Sequence, residues 1–566
     1  MVIVVVIVCC YCCCLRSLLL FVVIAIVIVF YWCFFMKNEN YDAIVVGGGI
    51  SGLLSALVLS KHGNRVLVLE KDGVVGGNCR SYNVDGFMVD TGPHAITALR
   101  NGPLPHLMNQ YFDSVPVFHP YGDYYIRTKK SLVRCPTNVR DFLSCKYLPL
   151  SDRLKLTSTI ATVFAKAGMG TDYSQKTVYE CLPKKLGPET LAFANTFSMF
   201  MSGRGMKETS VQRMLAGSGV VLEKNLSMEE FEAIVQGNSD LNTQSNELKF
   251  GEEQVHEVQA AETQTNKTQT NKTQTNKTQT NEQKANQTKI SALAITKKMM
   301  THSGGFVNQG YPTGGIQAIT NSVLSSMPES VNILTNCSVQ KILTEAKEFG
   351  KQKAIGVVAD GETYHSDLII YTAFASKLPH LMELPPEYLS KLEHIDHTIS
   401  LSVWLGLDEK VSDLDYVGSE VQFEKMPYWG GPTSTYDENL APSGGMVAGF
   451  AFIPQPQKNI KARAKDAYDQ IFEVTPKIEK HVVMRHEQVT IPEKAAITIS
   501  GEFAENRTPI ENLYMAGTDT DKRSMGVTRA AYSVIELLGK LEEDKKLMRK
   551  NNFTGHNFCR EYLPKM

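Results

Sequence analysis

The sequence has no excess of charge of either sign. Its 566 residues include 58 lysines and arginines against 59 aspartates and glutamates. Because no strong field would attract nucleic acid or an acidic substrate, we expect no nucleic-acid partner. Hydrophobic residues make up 43% of the chain, which is enough for a large core, and the length suggests two to four structural units.

Cysteine pairs at metal-binding spacing are missing from the body of the chain. Six of the twelve cysteines lie within the first 33 residues. The other six form neither a C-x-x-C pair nor a Cys/His cluster at zinc spacing: Cys79, Cys135, Cys145, Cys181, Cys337 and Cys559. We therefore expect no metal site, and buried free thiols in a reducing compartment.

The first 36 residues contain only two positions outside the apolar set, Arg16 and Ser17. Residues 18–35 are uncharged and would reach about 27 Å as a helix, close to the thickness of a bilayer's hydrocarbon core. The head lacks the basic start and the A-x-A-like site of a signal peptide. Two interpretations stay open. Either this head anchors a cytoplasmic catalytic body to a membrane, or Met36 is the true start of a soluble cytoplasmic protein.

A low-complexity insertion occupies residues 237–300. Its repeat at 263–281, TQTNKTQTNKTQTNKTQTN, has no apolar residue. Such a segment cannot bury enough surface to offset chain entropy, so we expect it to be disordered. It contains four N-x-T sequons, which matter only if the chain meets a glycosylation machinery: Asn266, Asn271, Asn276 and Asn286.

A β–turn–α–β unit begins the body of the chain. Residues 43–46 (AIVV) and 65–70 (RVLVLE) indicate buried strands, and the apolar spacing of 50–63 indicates a helix between them. The first turn fits G-x-G-x-x-G. Gly47 permits the tight turn, Gly49 lets the backbone approach a diphosphate, and Gly52 allows the helix to pack against the strand. The pattern predicts a dinucleotide site at the start of the helix.

Further motifs favour FAD over NAD. Glu70 ends the second strand, where it can bind the adenosine ribose hydroxyls and would repel a 2′-phosphate. The stretch 70–97 adds a Gly-Gly pair and then Asp-Thr-Gly-Pro-His, and residues 514–520 (YMAGTDT) form a second Gly/Asp loop directly before a helix. A distant C-terminal segment that returns to the first unit suits a long, two-ended cofactor such as FAD.

These motifs resemble the FAD-dependent amine-oxidase superfamily, and most closely its phytoene desaturase-like (carotenoid desaturase/isomerase) branch. The resemblance rests on residues 43–97, 310–323 and 511–541. It implies an α/β fold in which a Rossmann-like (GR2-type) FAD-binding domain carries an inserted α+β substrate domain. The FAD-binding domain would comprise 40–110, 300–395 and 495–545. The substrate or cap domain would comprise 111–236 and 396–494, and 546–566 would form a polar tail.

The resemblance also implies which residues hold FAD. The Gly-Tyr-Pro-Thr-Gly-Gly stretch matches at the edge of the flavin domain, with Gly310, Tyr311, Pro312, Gly314 and Gly315. The helix after the C-terminal loop would point at the flavin's pyrimidine edge and stabilise negative charge on the reduced ring. The candidate FAD-binding residues are Gly47, Gly49, Ile50, Ser51, Gly52, Glu70, Lys71, Gly76, Gly77, Arg80, Val339, Gly517, Thr518, Asp519, Gly526 and Val527.

The sequence departs from the family pattern at two loops. Asn78 stands where the family often has the arginine of Gly-Gly-Arg, and the arginine follows as Arg80. The C-terminal motif reads Ala-Gly-Thr-Asp instead of Ala-Gly-Asp, so either Asp519 or Thr518 would take the acid's place. His94 is a candidate catalytic base because its segment lies near the flavin in the family. The alternative is a hydrogen-bonded histidine in a pocket wall.

The implied activity is the desaturation or isomerisation of an apolar, polyisoprenoid or carotenoid-type substrate by hydride transfer to flavin N5, with quinone or oxygen as acceptor. An apolar substrate would also explain membrane association. A flavin oxidase of protoporphyrinogen or amines is one alternative, and a GDP-dissociation-inhibitor-like prenyl-binding protein without redox chemistry is another. The Gly/Pro loop expected at 426–437, with its Tyr-Trp pair, would line a substrate tunnel or simply pack. Helices expected near 142–168 and 191–201 would cap the cavity or face a membrane.

Overall fold

The computed structural model describes residues 41–92, 95–136, 139–168, 170–217, 308–453, 459 and 462–547. The apolar head, the repeat-bearing insertion with its sequons, His94 and all but the first two residues of the C-terminal tail lie outside the described residues.

The strands are β1 (Ala43–Val46), β2 (Val66–Leu69), β3 (Ser81–Val84), β4 (Phe87–Asp90), β5 (Phe118–Pro120), β6 (Asp123–Arg127), β7 (Leu132–Arg134), β8 (Gly310–Pro312), β9 (Val331–Leu334), β10 (Val339–Ala346), β11 (Gln352–Ala359), β12 (Glu362–His365), β13 (Ile369–Tyr371), β14 (Ser400–Leu407), β15 (Gly418–Gln422), β16 (Tyr428–Pro432), β17 (Met446–Phe452), β18 (Val482–Thr490) and β19 (Leu513–Met515). The α-helices are α1 (Ile50–Lys61), α2 (Pro103–Tyr111), α3 (Val139–Ser144), α4 (Leu150–Gly168), α5 (Val178–Cys181), α6 (Pro188–Ser202), α7 (Val211–Gly217), α8 (Gln317–Ser325), α9 (Pro386–Glu393), α10 (Arg463–Val474) and α11 (Gly526–Glu543).

Five parallel strands form the sheet that carries the first glycine motif. Their order is β19-β13-β1-β2-β9, so strands from three distant stretches of the chain lie side by side. Helices α1, α2, α8 and α11 cover one face, and the antiparallel sheet β10-β11-β12 packs on the other. Burial on both faces explains the continuous apolar runs of these strands. The α/β class and the Rossmann-like architecture are confirmed.

A second, seven-stranded sheet has the order β18-β14-β17-β16-β15-β6-β7. Alternate residues of β14 point to opposite faces, which gives the sheet two apolar sides. Its outer face, including Leu401 and Val403, packs on α10. Its inner face, including Trp404, packs against Phe87 of the β3–β4 hairpin and Tyr311 of β8. The inner face therefore lies on the side of the β3–β4 hairpin and β8.

The stretch around Trp429 differs from the expected Gly/Pro loop. Tyr428–Pro432 forms β16, which pairs on both sides with β15 and β17. A Cβ added at Gly430 would lie 2.1 Å from the carbonyl oxygen of Gly449 on β17. The glycine thus serves a close approach of neighbouring strands and not a turn. The prediction of a loop over 426–437 was therefore wrong for 428–432, whereas 426–427 and 433–437 do lie outside strands and helices.

Helix α6 and the segment that follows α3 pack on part of the inner face. The predicted helices near 142–168 and 191–201 are present as α3, α4 and α6. The Phe193 ring of α6 lies 5.0 Å from the Phe423 ring that follows β15, and 4.9 Å from the Phe197 ring (centroid distances). Within the described ranges, no helix combines the length and the apolar character needed to cross a bilayer.

Candidate functional site

The first glycine turn has the geometry that its sequence predicts. Gly47 has φ +107°, a conformation that side chains disfavour, and its N–H donates to the Leu69 carbonyl at 2.8 Å. A Cβ at Gly52 would lie 2.0 Å from the Gly47 carbonyl oxygen, so only glycine lets α1 approach β1 this closely. A Cβ at Gly49 would meet no heavy atom within 4 Å. Gly49 thus borders open space directly before Ile50 and Ser51, the first residues of α1.

The second glycine pair closes onto the first. The Gly76 N–H donates to the Gly48 carbonyl at 2.7 Å, and a Cβ at Gly77 would lie 3.2 Å from the Gly49 Cα. Both Gly76 and Gly77 have positive φ, at +110° and +56°. The two loops that the sequence places 27 residues apart therefore share one cradle at the carboxyl ends of β1 and β2.

Glu70 lies where β2 ends. Its carboxylate accepts the Gly48 N–H at 2.6 Å and the Asp72 N–H at 2.9 Å, and the residue is only 8% exposed. Each carboxylate oxygen has a second lone pair with which it can accept a hydroxyl proton. The Cys337 N–H donates to the Glu70 carbonyl at 2.8 Å, which brings the start of β10, and with it Val339, to the same edge.

Lys71 and Arg80 lie at the margin of this cradle. The Lys71 side chain is 72% exposed and pairs with Asp72 at 3.1 Å. The Arg80 Nε donates to the Gly77 carbonyl at 2.9 Å. Both positions are close to the glycine loops, and their contact with a cofactor stays a prediction.

The C-terminal loop reaches the same edge from β19. Asp519 is 1% exposed; its Oδ2 accepts the Ala375 N–H at 2.7 Å, and its Oδ1 has no hydrogen-bond partner among the described residues. Burial raises the pKa of this carboxyl group. Thr518 is used differently, because its Oγ1 accepts the backbone N–H of Lys494 at 3.0 Å. Of the two residues that could replace the acid of the family motif, Asp519 has an acceptor oxygen without a partner among the described residues, and Thr518 does not. Asp519 also lies beside Gly517.

Sequence motifs did not indicate Lys494. Its Nζ donates to the backbone carbonyls of Thr372 and, at 3.0 Å, Ala373, directly after β13. The side chain is half-buried, and burial lowers the pKa of its ammonium group. No motif covers residues 491–495, so only the fold could bring this lysine to the glycine turn.

The start of α11 meets the segment that follows Asp-Thr-Gly. The Gly526 N–H donates to Glu493, whose carboxylate also pairs with Arg529 at 3.0 Å. Thr528 Oγ1 donates to the Thr97 carbonyl at 3.0 Å. Val527 is buried in the core beneath. Gly526 and Val527 are therefore close to the chain around residue 97, whereas His94, the candidate base, lies outside the described residues.

The Gly-Tyr-Pro-Thr-Gly-Gly stretch contacts protein instead of open space. The Tyr311 hydroxyl donates to Asp90 at 2.6 Å, and a Cβ at Gly315 would lie 2.5 Å from Ser81 Oγ. Gly310 and Pro312 belong to β8, and the Gly314 N–H donates to Asp437 at 2.8 Å. This stretch fastens the start of α8 to the Asp-Thr-Gly segment.

The residues at this edge fit FAD. The cradle at Gly49 is open to a diphosphate, Glu70 offers acceptors to a ribose, and Asp519 has a buried, unpartnered oxygen that suits a hydroxyl donor. The flavin containing amine oxidoreductase family model matches residues 50–533. The chain belongs to this family. Its cofactor is accordingly FAD, and the protein is a flavin-dependent oxidoreductase.

Two curated relatives match a short stretch of the chain. An all-trans-retinol 13,14-reductase of Rattus norvegicus is 41% identical over 88 residues, which is 15% of this chain and 14% of the relative. A chloroplastic prolycopene isomerase of an Oncidium hybrid cultivar is 40% identical over 77 residues, 14% of this chain and 13% of the relative. Because the chain spans about one seventh of these relatives' lengths, their activities enter below only as support for a proposal.

Solved structures of the same fold cover nearly the whole chain. An oxidoreductase from Methanosarcina mazei has a TM-score of 0.60 at 18% identity, over 88% of this chain and 99% of its own. A putrescine oxidase bound to putrescine has a TM-score of 0.54 at 13% identity, over 90% and 99%. At these identities the likeness shows the fold alone.

Proposed function

We propose that this flavoenzyme desaturates or isomerises an apolar, polyisoprenoid or carotenoid-type substrate. The observation that carries the proposal is the aromatic surface between α6 and the inner face of the seven-stranded sheet. Phe193, Phe197 and Phe200 are half-buried there and pack with Trp429 and Phe423. Accessible aromatic rings of this kind bury long apolar chains favourably.

In a desaturation, bound FAD would supply a hydride acceptor at N5, and quinone or oxygen would take the two electrons onward; an isomerisation would return them to the substrate and need no acceptor. The described part of the chain supplies binding and shape: the glycine cradle, Glu70 and Asp519 for the cofactor, and the aromatic surface for the substrate. The similarity to a retinol reductase and a prolycopene isomerase, although confined to 88 and 77 residues, also supports an isoprenoid. Oxidation of protoporphyrinogen or of an amine is the alternative substrate class.

Anaerobic bleaching tests the substrate class. The purified protein, with its yellow flavin, is mixed without oxygen with polyenes, a porphyrinogen and a polyamine in parallel. We expect the yellow flavin band to bleach with a polyene that is desaturated, or the polyene to isomerise without net bleaching, and neither change with the porphyrinogen or the polyamine. Bleaching by the porphyrinogen or the amine alone would overturn the proposal in favour of the alternative, and a protein without bound flavin would overturn the enzyme assignment.

We also propose that the catalytic body works against a membrane surface. Leu150 and Leu154, one turn apart on α4, are 59% and 55% exposed, and Leu143 at the end of α3 is 36% exposed. Arg153 links these helices by donating to the Leu143 carbonyl, and Lys146 lies between them in sequence. Exposed leucines beside basic side chains match an anionic lipid surface. Phe142, next to Leu143, packs on Phe193, so this surface adjoins the aromatic one.

A further inference from the structure

The cofactor crevice contains two acidic side chains, although a diphosphate brings further negative charge. Glu70 and Asp519 both lie at the carboxyl ends of the parallel strands. Backbone N–H groups and the start of α1 contribute partial positive charge. The two cationic side chains at the margin of the cradle already contact protein groups: Lys71 pairs with Asp72, and Arg80 donates to the Gly77 carbonyl. A compensating cation inside the crevice would therefore favour cofactor binding.

Lys494 places an ammonium group in this crevice, and we propose that it binds the diphosphate of FAD. Its Nζ contacts the carbonyls of Thr372 and Ala373, and Thr372 Oγ1 in turn donates to the Gly47 carbonyl at 2.9 Å. On the other side, a Cβ at Gly517 would lie 3.3 Å from Nζ. The ammonium thus lies between the first glycine turn and the C-terminal loop, the two motifs that hold the two ends of FAD.

The Lys494 ammonium group has a hydrogen-bond donor that its contacts with the described residues do not use. An ammonium has three N–H donors, and two are used on neutral carbonyl oxygens. Burial disfavours the charged form and lowers its pKa, whereas the nearby carboxylates of Asp519 and Glu70 favour the charged form. A phosphate oxygen bonded directly to Nζ would stabilise the charge further, because hydrogen bonds between ionised partners are about twice as strong as those between neutral ones.

The backbone of Lys494 is held in place before any cofactor binds. Its N–H donates to Thr518 Oγ1 at 3.0 Å. The carboxylate of the preceding residue, Glu493, accepts the Gly526 N–H and pairs with Arg529. The Glu493 N–H donates to Thr398 Oγ1, and the Thr398 N–H donates to the Glu493 carbonyl, both at 3.0 Å. Only the lysine side chain has to turn toward a ligand, so little ordering is required on binding.

The test compares ligands that carry or lack the diphosphate. Apoprotein of the full chain is titrated with FAD, ADP and adenosine, for the unsubstituted protein, Lys494→Met and Lys494→Arg. We expect Lys494→Met to weaken FAD and ADP by about 10- to 100-fold, because it removes one charge-assisted bond, and to change adenosine less than threefold. Lys494→Arg should recover part of the loss, and the dependence of the FAD Kd on salt should be shallower in Lys494→Met.

The control variant is Lys477→Met. Lys477 is an exposed lysine that pairs with Asp413 at 3.1 Å beside the seven-stranded sheet, and its replacement should leave all three affinities unchanged. Equal losses of affinity for ADP and adenosine in Lys494→Met would show that Lys494 only stabilises the local structure, which would overturn the inference. An unchanged FAD Kd would also overturn it. If Lys494→Met does not fold, Lys494→Gln replaces it under the same criteria. The inference rests on the proposed function only through FAD: an unsubstituted protein that binds no FAD would overturn that assignment instead.

Discussion

Gly49 and Gly52 are three residues apart, yet alanine should affect them in opposite ways. The Cβ of Gly49→Ala would meet no protein atom within 4 Å, and Gly49 has φ −69° and ψ 172°, which alanine adopts freely. The added methyl group would instead fill the space above the cradle. Gly52→Ala would place its Cβ 2.0 Å from the Gly47 carbonyl oxygen and 2.8 Å from Thr372 Oγ1. The first variant should impair the cofactor, and the second the fold.

The magnitudes follow from these distances. In Gly52→Ala, α1 has to move by about 1 Å from β1, and overpacking of this kind costs roughly 1–3 kcal/mol. In a large domain that lowers Tm by roughly 2–4 °C for each kcal/mol. In Gly49→Ala the fold is undisturbed, but the diphosphate loses one or more backbone N–H bonds. Each such bond to a charged group is worth about 1.5–3 kcal/mol, so the FAD Kd should rise about 10- to 150-fold.

Apoprotein Tm and the FAD Kd measured by quenching of flavin fluorescence separate the two effects. Gly539→Ala is the matched control, because Gly539 lies inside α11 with nothing within 4 Å of its would-be Cβ. Alanine there should raise Tm slightly and leave the Kd alone. A Gly49→Ala protein that binds FAD within threefold of the unsubstituted protein would refute the placement of the diphosphate. A Gly52→Ala protein of unchanged Tm would refute the packing argument.

Three other predictions concern the rest of the molecule. Glu420 is fully buried and accepts a hydrogen bond from the Arg127 Nε at 2.8 Å. Glu420→Gln should therefore lower the free energy of unfolding by about 3–5 kcal/mol, measured by chemical denaturation, while the FAD Kd stays within twofold. An unchanged denaturation midpoint would contradict this prediction. A tryptophan at Leu154→Trp should be quenched by brominated lipid in anionic vesicles, whereas one at the exposed Val483→Trp should not; equal quenching would rule out a lipid contact at α4. Burial lowers the pKa of His106 below 6.5, so the native state holds it neutral and the unfolded chain takes up the proton. Tm should therefore fall as pH drops below about 6.5, and His106→Gln should show a smaller fall; identical pH profiles would exclude this histidine as a cause.

The sequence predicted the β1–α1–β2 unit closely, because each of its signals is local. Residues 43–46 form the predicted strand, and the helix that was expected to stop at Gly63 ends at Lys61. Gly47 and Gly52 have the conformation and the close contact that the motif requires. Patterns of this kind depend on neighbours within about ten residues, so they can be recognised without a fold.

The contributions of distant segments could not be predicted in this way. Lys494 stands 124 positions after Ile370 and 23 before Gly517, with no motif around it, and becomes part of the crevice only because β13 and β19 pair in parallel. The strand at Tyr428–Pro432 was missed for a related reason. In the sequence alone a glycine at position 430 indicates a turn, whereas in the fold it is needed because β17 passes too close for a side chain.

The Asp-Thr-Gly segment shows why the two sheets have to be considered together. The Gln488 side chain, on β18 of the seven-stranded sheet, donates to the Asp90 carbonyl at 2.8 Å and accepts the Gly92 N–H at 3.0 Å. The Asp90 carboxylate meanwhile accepts from Tyr311 and from the Ile316 N–H at the start of α8. The amide of Gln488 therefore ties this segment to the seven-stranded sheet, and the segment's own Asp90 carboxylate ties it to β8 and α8. Because buried polar networks stabilise only when every member is satisfied, any shift of one sheet against the other would break these bonds first. The Asp-Thr-Gly segment is thus a point at which buried polar bonds join the seven-stranded sheet to the parallel-sheet domain.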